Sequence, residues 1–208
     1  MDDLSQLLEQ AARVGTGPVS DSMEKLGLPR GVVTGMRLIS DDPRRKIVGP
    51  AYTLRQATKS RTISHDENRT RQRFASAEFA QPGQVVLIDA GGRTDICTWG
   101  ENQAMMAQSR SLAGLVAYGA VRDSEGIRAT GFPVLCCGFS PVSSKWDLET
   151  VSMNEPVVIA GVQVRPGDLV YGDVDGLIVV PHEHSEAVLA GALEVHRGEE
   201  RQRAELYD

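Results

Sequence analysis

Cysteine is scarce in this 208-residue chain: three in all, at positions 97, 136 and 137. Neither their spacing nor their density fits a metal site or a disulfide scaffold. Adjacent Cys136–Cys137 sits in the apolar stretch Val134–Cys137, where burial as a small hydrophobe is expected. Positive charge is not in excess either. A formal charge of −6 gives no whole-protein argument for DNA or RNA binding, and no direct nucleic-acid partner is expected. The run Arg69–Thr70–Arg71–Gln72–Arg73 is locally basic, but its helical spacing reads as a solvated face. No apolar segment approaches the length of a membrane span, and the acidic start MDDLSQLLEQ argues against a secretory signal. A cytoplasmic location is therefore expected. No Pro/Ser-rich linker or charge block divides the chain, so residues 1–208 are read as one domain with peripheral terminal helices.

Several familiar chemistries lack their motifs. There is no P-loop lysine, no Gly-rich dinucleotide fingerprint and no complete calcium loop. The G-x-S-x-G elbow of a Ser-His-Asp hydrolase is missing. His65, His182, His184 and His196 form no ligand pattern, and His182 with His184 reads as a surface cap after Pro181.

What is present is helix–strand alternation. Apolar residues at helical spacing mark 3–13, which Thr16–Gly17–Pro18 is expected to break, and Ser20 is placed as the cap of a short helix carrying Met23. Gly31–Ile39 reads as a strand weakened by Gly35, and Ile47–Leu54 as a strand near an edge, where Pro50 costs no ladder bond. A helix is expected over about 67–80 with Phe74, Ala77 and Phe79 inward. Val85–Ile88 is continuously apolar, so both faces should be covered. A helix over about 99–111, a strand at Gly114–Ala117, a short helix at Ser124–Ala129 and a strand at Phe132–Cys137 complete an α/β core. The last third, with short strands at Val157–Ile159, Val162–Val164, Leu169–Tyr171 and Leu177–Val180, reads as a second sheet layer before a final helix over 183–200.

Chemistry concentrates after the strand in GLVAYGAVRDSEG, residues 114–126. Arg122 is a fixed cation with a planar fork suited to a carboxylate, and Asp123 supplies hard oxygens suited to Mg²⁺ or Mn²⁺. An Arg–Asp ion pair without function is the competing reading. Upstream, Gly91–Gly92 permits close backbone approach, and amides at the helix start near Trp99–Asn102 are placed to hold an anion. Glu101 falls in that first turn. Arg93 and Asp95 read as loop-orienting, and Asp173 with Asp175 as mainly structural.

Gly119–Asp123 (G-A-V-R-D), with Trp99–Gly100–Glu101 before it and Gly131–Val134 after it, resembles the family of 4-hydroxy-4-methyl-2-oxoglutarate aldolases and regulators of ribonuclease activity A. Gly161–Pro181 is similar to the same family, and the likeness runs over roughly residues 19–192. It implies a compact three-layer β/β/α, swivelling-domain-like fold and a homotrimer or a hexamer with sites at subunit contacts. It further implies a divalent-metal pyruvate aldolase or oxaloacetate decarboxylase acting on a small 2-oxo acid through a pyruvate enolate. By motif, Arg122 would polarise the 2-oxo acid, Asp123 would ligate Mg²⁺ or Mn²⁺, and Glu101 would hold metal waters. The amides of Gly100, Glu101, Asn102, Gln103 and Ala104 would receive the substrate carboxylate, with Glu199 or Glu200 of a neighbouring copy adding an acid. The alternative within the family is a non-enzymatic regulator of an RNA-processing ribonuclease. One departure stands out. The family often carries an acidic residue third after Arg-Asp, where this chain has Gly126 and places Glu125 one position early.

Overall fold

The structure, a computed structural model, describes residues 3–60, 63–74 and 79–207. Its sheet runs β1 (Val32–Val33), β12 (Leu177–Val180), β11 (Leu169–Gly172), β3 (Ile47–Thr58), β4 (Val85–Asp89), β6 (Gly114–Val121), β7 (Val134–Phe139), β2 (Arg37–Ile39). Two further strands join this path: β5 (Cys97–Trp99) pairs with β6, and β8 (Leu148–Met153) with β3. The β3–β4–β6–β7 segment is parallel, whereas β11, β12 and β1 add antiparallel. The long strand β3 forms the corner: Ile47–Pro50 pairs with β11 and Ala51–Arg55 with β4. The sheet consequently curls into a half-barrel.

Alternation along the strands divides the interior. Successive side chains of a strand leave opposite faces, so Val86 and Ile88 join Leu115 and Ala117 in one core, while Val85 and Leu87 join Val116 in another. The first core is covered by α4 (Glu101–Ser109) and α5 (Ser124–Thr130) through Ala104, Ala107 and Ile127. The second lies inside the curl and is closed by the hairpin of β9 (Val157–Ile159) and β10 (Val162–Val164). A third core packs α1 (Asp3–Ala11), α2 (Thr16–Lys25) and α6 (Ser185–Tyr207) on the outer face of β11–β12. Each buried Val, Leu or Ile here contributes about 1.5–3 kcal/mol of transfer free energy.

Several expectations are corrected. The last third adds the expected second β layer but not as one separate sheet: β11 and β12 continue the main sheet through β3, and only β9 and β10 form a two-stranded sheet of their own. Thr16–Gly17–Pro18 opens α2, where proline has no intrahelical N–H to lose, and Ser20 lies inside that helix. Gly35, at φ +78°, splits the expected 31–39 strand into β1 and β2. Pro50 sits in a central strand. It is tolerated because Ala51 N–H donates to Asp168 O at 2.8 Å, so the missing Pro50 N–H faces the β4 side just before that pairing begins. Phe79 is exposed; the Phe74 side chain and Ala77 lie outside the described residues. The first helix of the middle segment, α3, spans His65–Phe74.

Cys97 and Cys136 are buried and Cys137 is half-buried, all three as free thiols. Asp173 is structural as expected: its carboxylate accepts Thr16 N–H and Oγ1–H and Lys46 Nζ–H, each at 3.0 Å, and Asp175 N–H at 2.9 Å. Asp175 itself is exposed and does not pair with it across a shared face. No helix among the described residues is long and apolar enough to cross a membrane.

Candidate functional site

Two strand-to-helix junctions lie side by side. The end of β6 leaves β4 and takes β5 as a parallel partner, with Cys97 opposite Ala120 and Trp99 opposite Val121. Beyond β5 the chain passes Gly100 into α4; beyond β6 it passes Arg122–Asp123 into α5. Arg122 N–H donates to Trp99 O at 2.9 Å and locks the junctions together. Ligand sites of parallel sheets form at such carboxyl ends.

Asp123 is the pivot. It adopts the left-handed conformation at φ 55° and ψ 41° as the residue before α5, a strained choice for a non-glycine residue and one concentrated at functional sites. Its Oδ2 lies 3.4 Å from Arg122 Nε and 3.4 Å from Glu101 N–H. Both side chains of the Arg122–Asp123 pair are nearly half exposed. Gly100 makes room for them: a Cβ there would lie 2.8 Å from Asp123 Oδ2 and 3.1 Å from Arg122 Nε. The backbone of Gly100 is extended, so its glycine is explained by this close approach and not by a special dihedral.

Of the five residues expected to offer amides, Gln103 and Ala104 already donate to Gly100 O at 3.1 Å each. Glu101 N–H faces Asp123 Oδ2 at 3.4 Å, so Gly100 and Asn102 are the other amides of the five at the helix start. The Glu101 side chain turns away from them and lies on α5, where a Cβ at Gly126 would fall inside its carboxylate. Glu125 sits on the exposed side of that turn. The carboxylate over position 126 therefore comes from Glu101.

A pocket of about 460 Å³ opens in front of the junctions. Gly100, Asn102, Gln103, Arg122 and Asp123 form the junction wall; His65, Asn68, Arg69 and Arg73 of α3, with Ser144 and Lys145 of the 3-10 turn Ser144–Trp146, form the α3 wall. Glu101 is not among the lining residues. Sequence reasoning missed α3 as part of this wall. The signal was there in the basic run, which divides: Arg71 pairs with Glu67 at 3.2 Å, while Arg69 and Arg73, four residues apart on one helical face, line the pocket.

The weaker candidates take structural roles. Arg93 and Asp95 bond each other at 2.7 and 3.1 Å on the surface. Asp168, His182 and Glu183 bring three ligand-type atoms near one another, but Asp168 caps its own turn by accepting Arg165 N–H at 2.7 Å and His182 N–H at 3.1 Å. Burial pushes the Cys97 thiol at the pocket edge upward, only partly offset by Arg122.

Residues 16–179, which span both junctions, match the family described as RraA-like, Aldolase/RraA. The chain belongs to the RraA-like family. It is 30% identical over 157 residues to a 4-hydroxy-4-methyl-2-oxoglutarate aldolase of Thermus thermophilus, covering 76% of this chain and 89% of that one. It is 28% identical over 200 residues to protein DlpA of Legionella pneumophila, covering 96% of this chain but only 31% of that longer protein. Among solved structures, Streptomyces coelicolor RraAS2, described as an unusual member of the RNase ES inhibitor RraA protein family, superposes with a TM-score of 0.80. The two are 28% identical, and the match covers 98% of this chain and 97% of that one. An RraA-like fold thus carries the site geometry described above.

Proposed function

We propose that this RraA-like chain is a divalent-metal-dependent lyase that cleaves a small 2-oxo acid through a pyruvate enolate. Its reaction is retro-aldol cleavage of a 4-hydroxy-2-oxo diacid, decarboxylation of oxaloacetate, or both. The observation that carries this reading is the Arg122–Asp123 pair, held by the Trp99–Arg122 backbone bond at the mouth of a pocket whose wall also offers the α4 amides.

Asp123 fits a hard cation. Its Oδ2 stands in the notch left by Gly100, and Mg²⁺ is commonly held by one or two carboxylates with substrate and water completing the shell. Bound there, Mg²⁺ or Mn²⁺ would supply Lewis acidity toward the carboxylate and keto oxygens of the substrate. The chain's own residues then have distinct tasks. Arg122 donates to the keto oxygen and stabilises the negative charge that gathers there as the carbon–carbon bond breaks. The amides at the start of α4, around Gly100–Asn102, receive the substrate carboxylate. The Glu101 carboxylate, resting on Gly126, would help hold metal-bound water. No Schiff-base lysine is needed, and retro-aldol and decarboxylation share the same enolate.

The family likeness also leads us to propose a trimer or a pair of trimers. Exposed Phe139 lies beside Arg122 and Asp123, exposed Val142 is tied to β5 through Cys97 N–H, and Glu199 or Glu200 of a neighbouring copy would add an acid. The likeness to a member of an RNase ES inhibitor family favours a second reading, regulation of a ribonuclease. It would not need the Arg122–Asp123 chemistry.

A coupled pyruvate-release assay with oxaloacetate and hydroxylated 2-oxo diacids, with and without Mg²⁺ or Mn²⁺, tests the lyase. Metal-dependent pyruvate is expected, and Asp123→Ala should abolish it while the assembly survives. No pyruvate from any of these acids would remove the assignment.

A further inference from the structure

We infer that α3 and the Ser144–Trp146 turn form the specificity wall of the pocket, with Arg69 and Lys145 reading an anionic group at the substrate end remote from Asp123. The inference rests on the lyase reading for the identity of the substrate, but its geometry is independent of the chemistry at Arg122–Asp123.

Charge is the first argument. Among the described residues, the pocket is lined by Arg69, Arg73, Arg122 and Lys145 against a single carboxylate, Asp123, in a chain whose formal charge is −6. Arg122 is already matched by Asp123 at 3.4 Å. The other pocket cations, Arg69, Arg73 and Lys145, all stand on the α3 wall. A 2-oxo acid with an apolar tail would gain nothing from that wall, whereas a second carboxylate would meet it.

The placement of the wall is the second argument. Helix α3 is among the most polar segments of the fold, with no apolar stripe to bury, so something other than hydrophobic packing must orient it. Buried Asn68 does so: Nδ2–H donates to Leu148 O, and Oδ1 accepts Thr150 N–H, both at 2.6 Å. His65 Nδ1–H donates to Lys145 O at 2.9 Å, and its ring stacks on Trp146 with centroids 5.3 Å apart. These ties fix α3 to β8 and to the turn, and they aim the 65-69-73 face into the pocket. Arg69 makes an exposed contact with Asp66, at 3.6 Å, a pair worth little in water and readily exchanged for a bound carboxylate. Lys145 Nζ rides 5.2 Å above the Trp146 ring, which holds its ammonium at the rim.

A matched pair of ligands isolates this wall. 2-Oxoglutarate and 2-oxopentanoate have the same chain length and differ in the distal carboxylate. Their affinities for the full chain with Mg²⁺ can be compared by calorimetry. Wild type is expected to bind the diacid about ten-fold tighter, the scale of one charged hydrogen bond. In Arg69→Met and Lys145→Met the ratio should fall toward one at unaltered melting temperature, and Arg69→Lys should restore part of it. A wild-type ratio near one, or a ratio unmoved in both Met variants, overturns the inference. If the preference holds but no 2-oxo acid is turned over, the wall stands and the lyase reading falls.

Discussion

The Glu101 carboxylate occupies the volume in which a side chain at position 126 would stand. An acidic group is thus delivered to the first turn of α5 from the neighbouring helix, and Gly126 is what admits it. The absence of an acid at position 126 and the presence of Glu101 are one arrangement seen from two sides.

Gly126→Ala should therefore destabilise the protein by about 1–3 kcal/mol, the usual cost of overpacking, and lower pyruvate release with it. Glu101→Ala should relieve the clash. Thermal melts of the two single variants and the double variant measure the coupling; strict additivity would show that the two positions do not share this space.

Gly100→Ala acts on the pivot itself. Its new Cβ, 2.8 Å from Asp123 Oδ2, must displace the carboxylate or the Arg122 guanidinium. Displacements of about 1 Å at a catalytic group can cost about a hundred-fold in rate. We expect a fall in kcat/KM of at least about ten-fold on that basis, with the secondary structure unchanged by circular dichroism.

Asp173 makes stability depend on acid. Burial pushes its carboxyl up, but Thr16 N–H, Lys46 and Asp175 N–H together hold it below the ordinary aspartate range. The unfolded chain then takes up the proton first, so this contribution is whole above about pH 3.9 and fades as the pH drops through the lower folded value. Denaturant titrations between neutrality and pH 3 should show that loss in wild type. Asp173→Asn, which strands the nearly buried Lys46, should cost about 3 kcal/mol at neutral pH and flatten the acid limb.

The thiols should be silent. Burial raises Cys97 and Cys137, and lifts Cys136 to about 12. Ellman's reagent at pH 8 is expected to react slowly with the native protein and promptly with all three thiols in guanidinium. A fast native reaction at Cys136 would contradict its burial.

Much of the core was legible because its signals are local. The Val85–Ile88 run announced a strand covered on both faces, and alternation then assigned each residue to its own core. Arg122–Asp123 was legible as a charged step off an apolar strand. The role of α3 was not. A basic helix reads as solvated by composition alone, and only the Asn68 bonds to β8, some eighty residues away in sequence, turn its arginines inward. Pro50 misled for the same reason. Whether a proline sits at an edge depends on which neighbours arrive, and β11 comes from the far end of the chain. The Glu101–Gly126 contact needed two helix starts placed side by side, which no spacing reveals.

Strand β3 also sets a timetable for synthesis. Its first residues pair with Leu169–Gly172, and Thr16 waits for Asp173, so neither the corner of the sheet nor the start of α2 can close until Asp173 has left the ribosome. A nascent chain stalled near residue 150 would carry an open β3 edge and an uncovered inner face, the kind of surface that recruits chaperones or pairs with a neighbour.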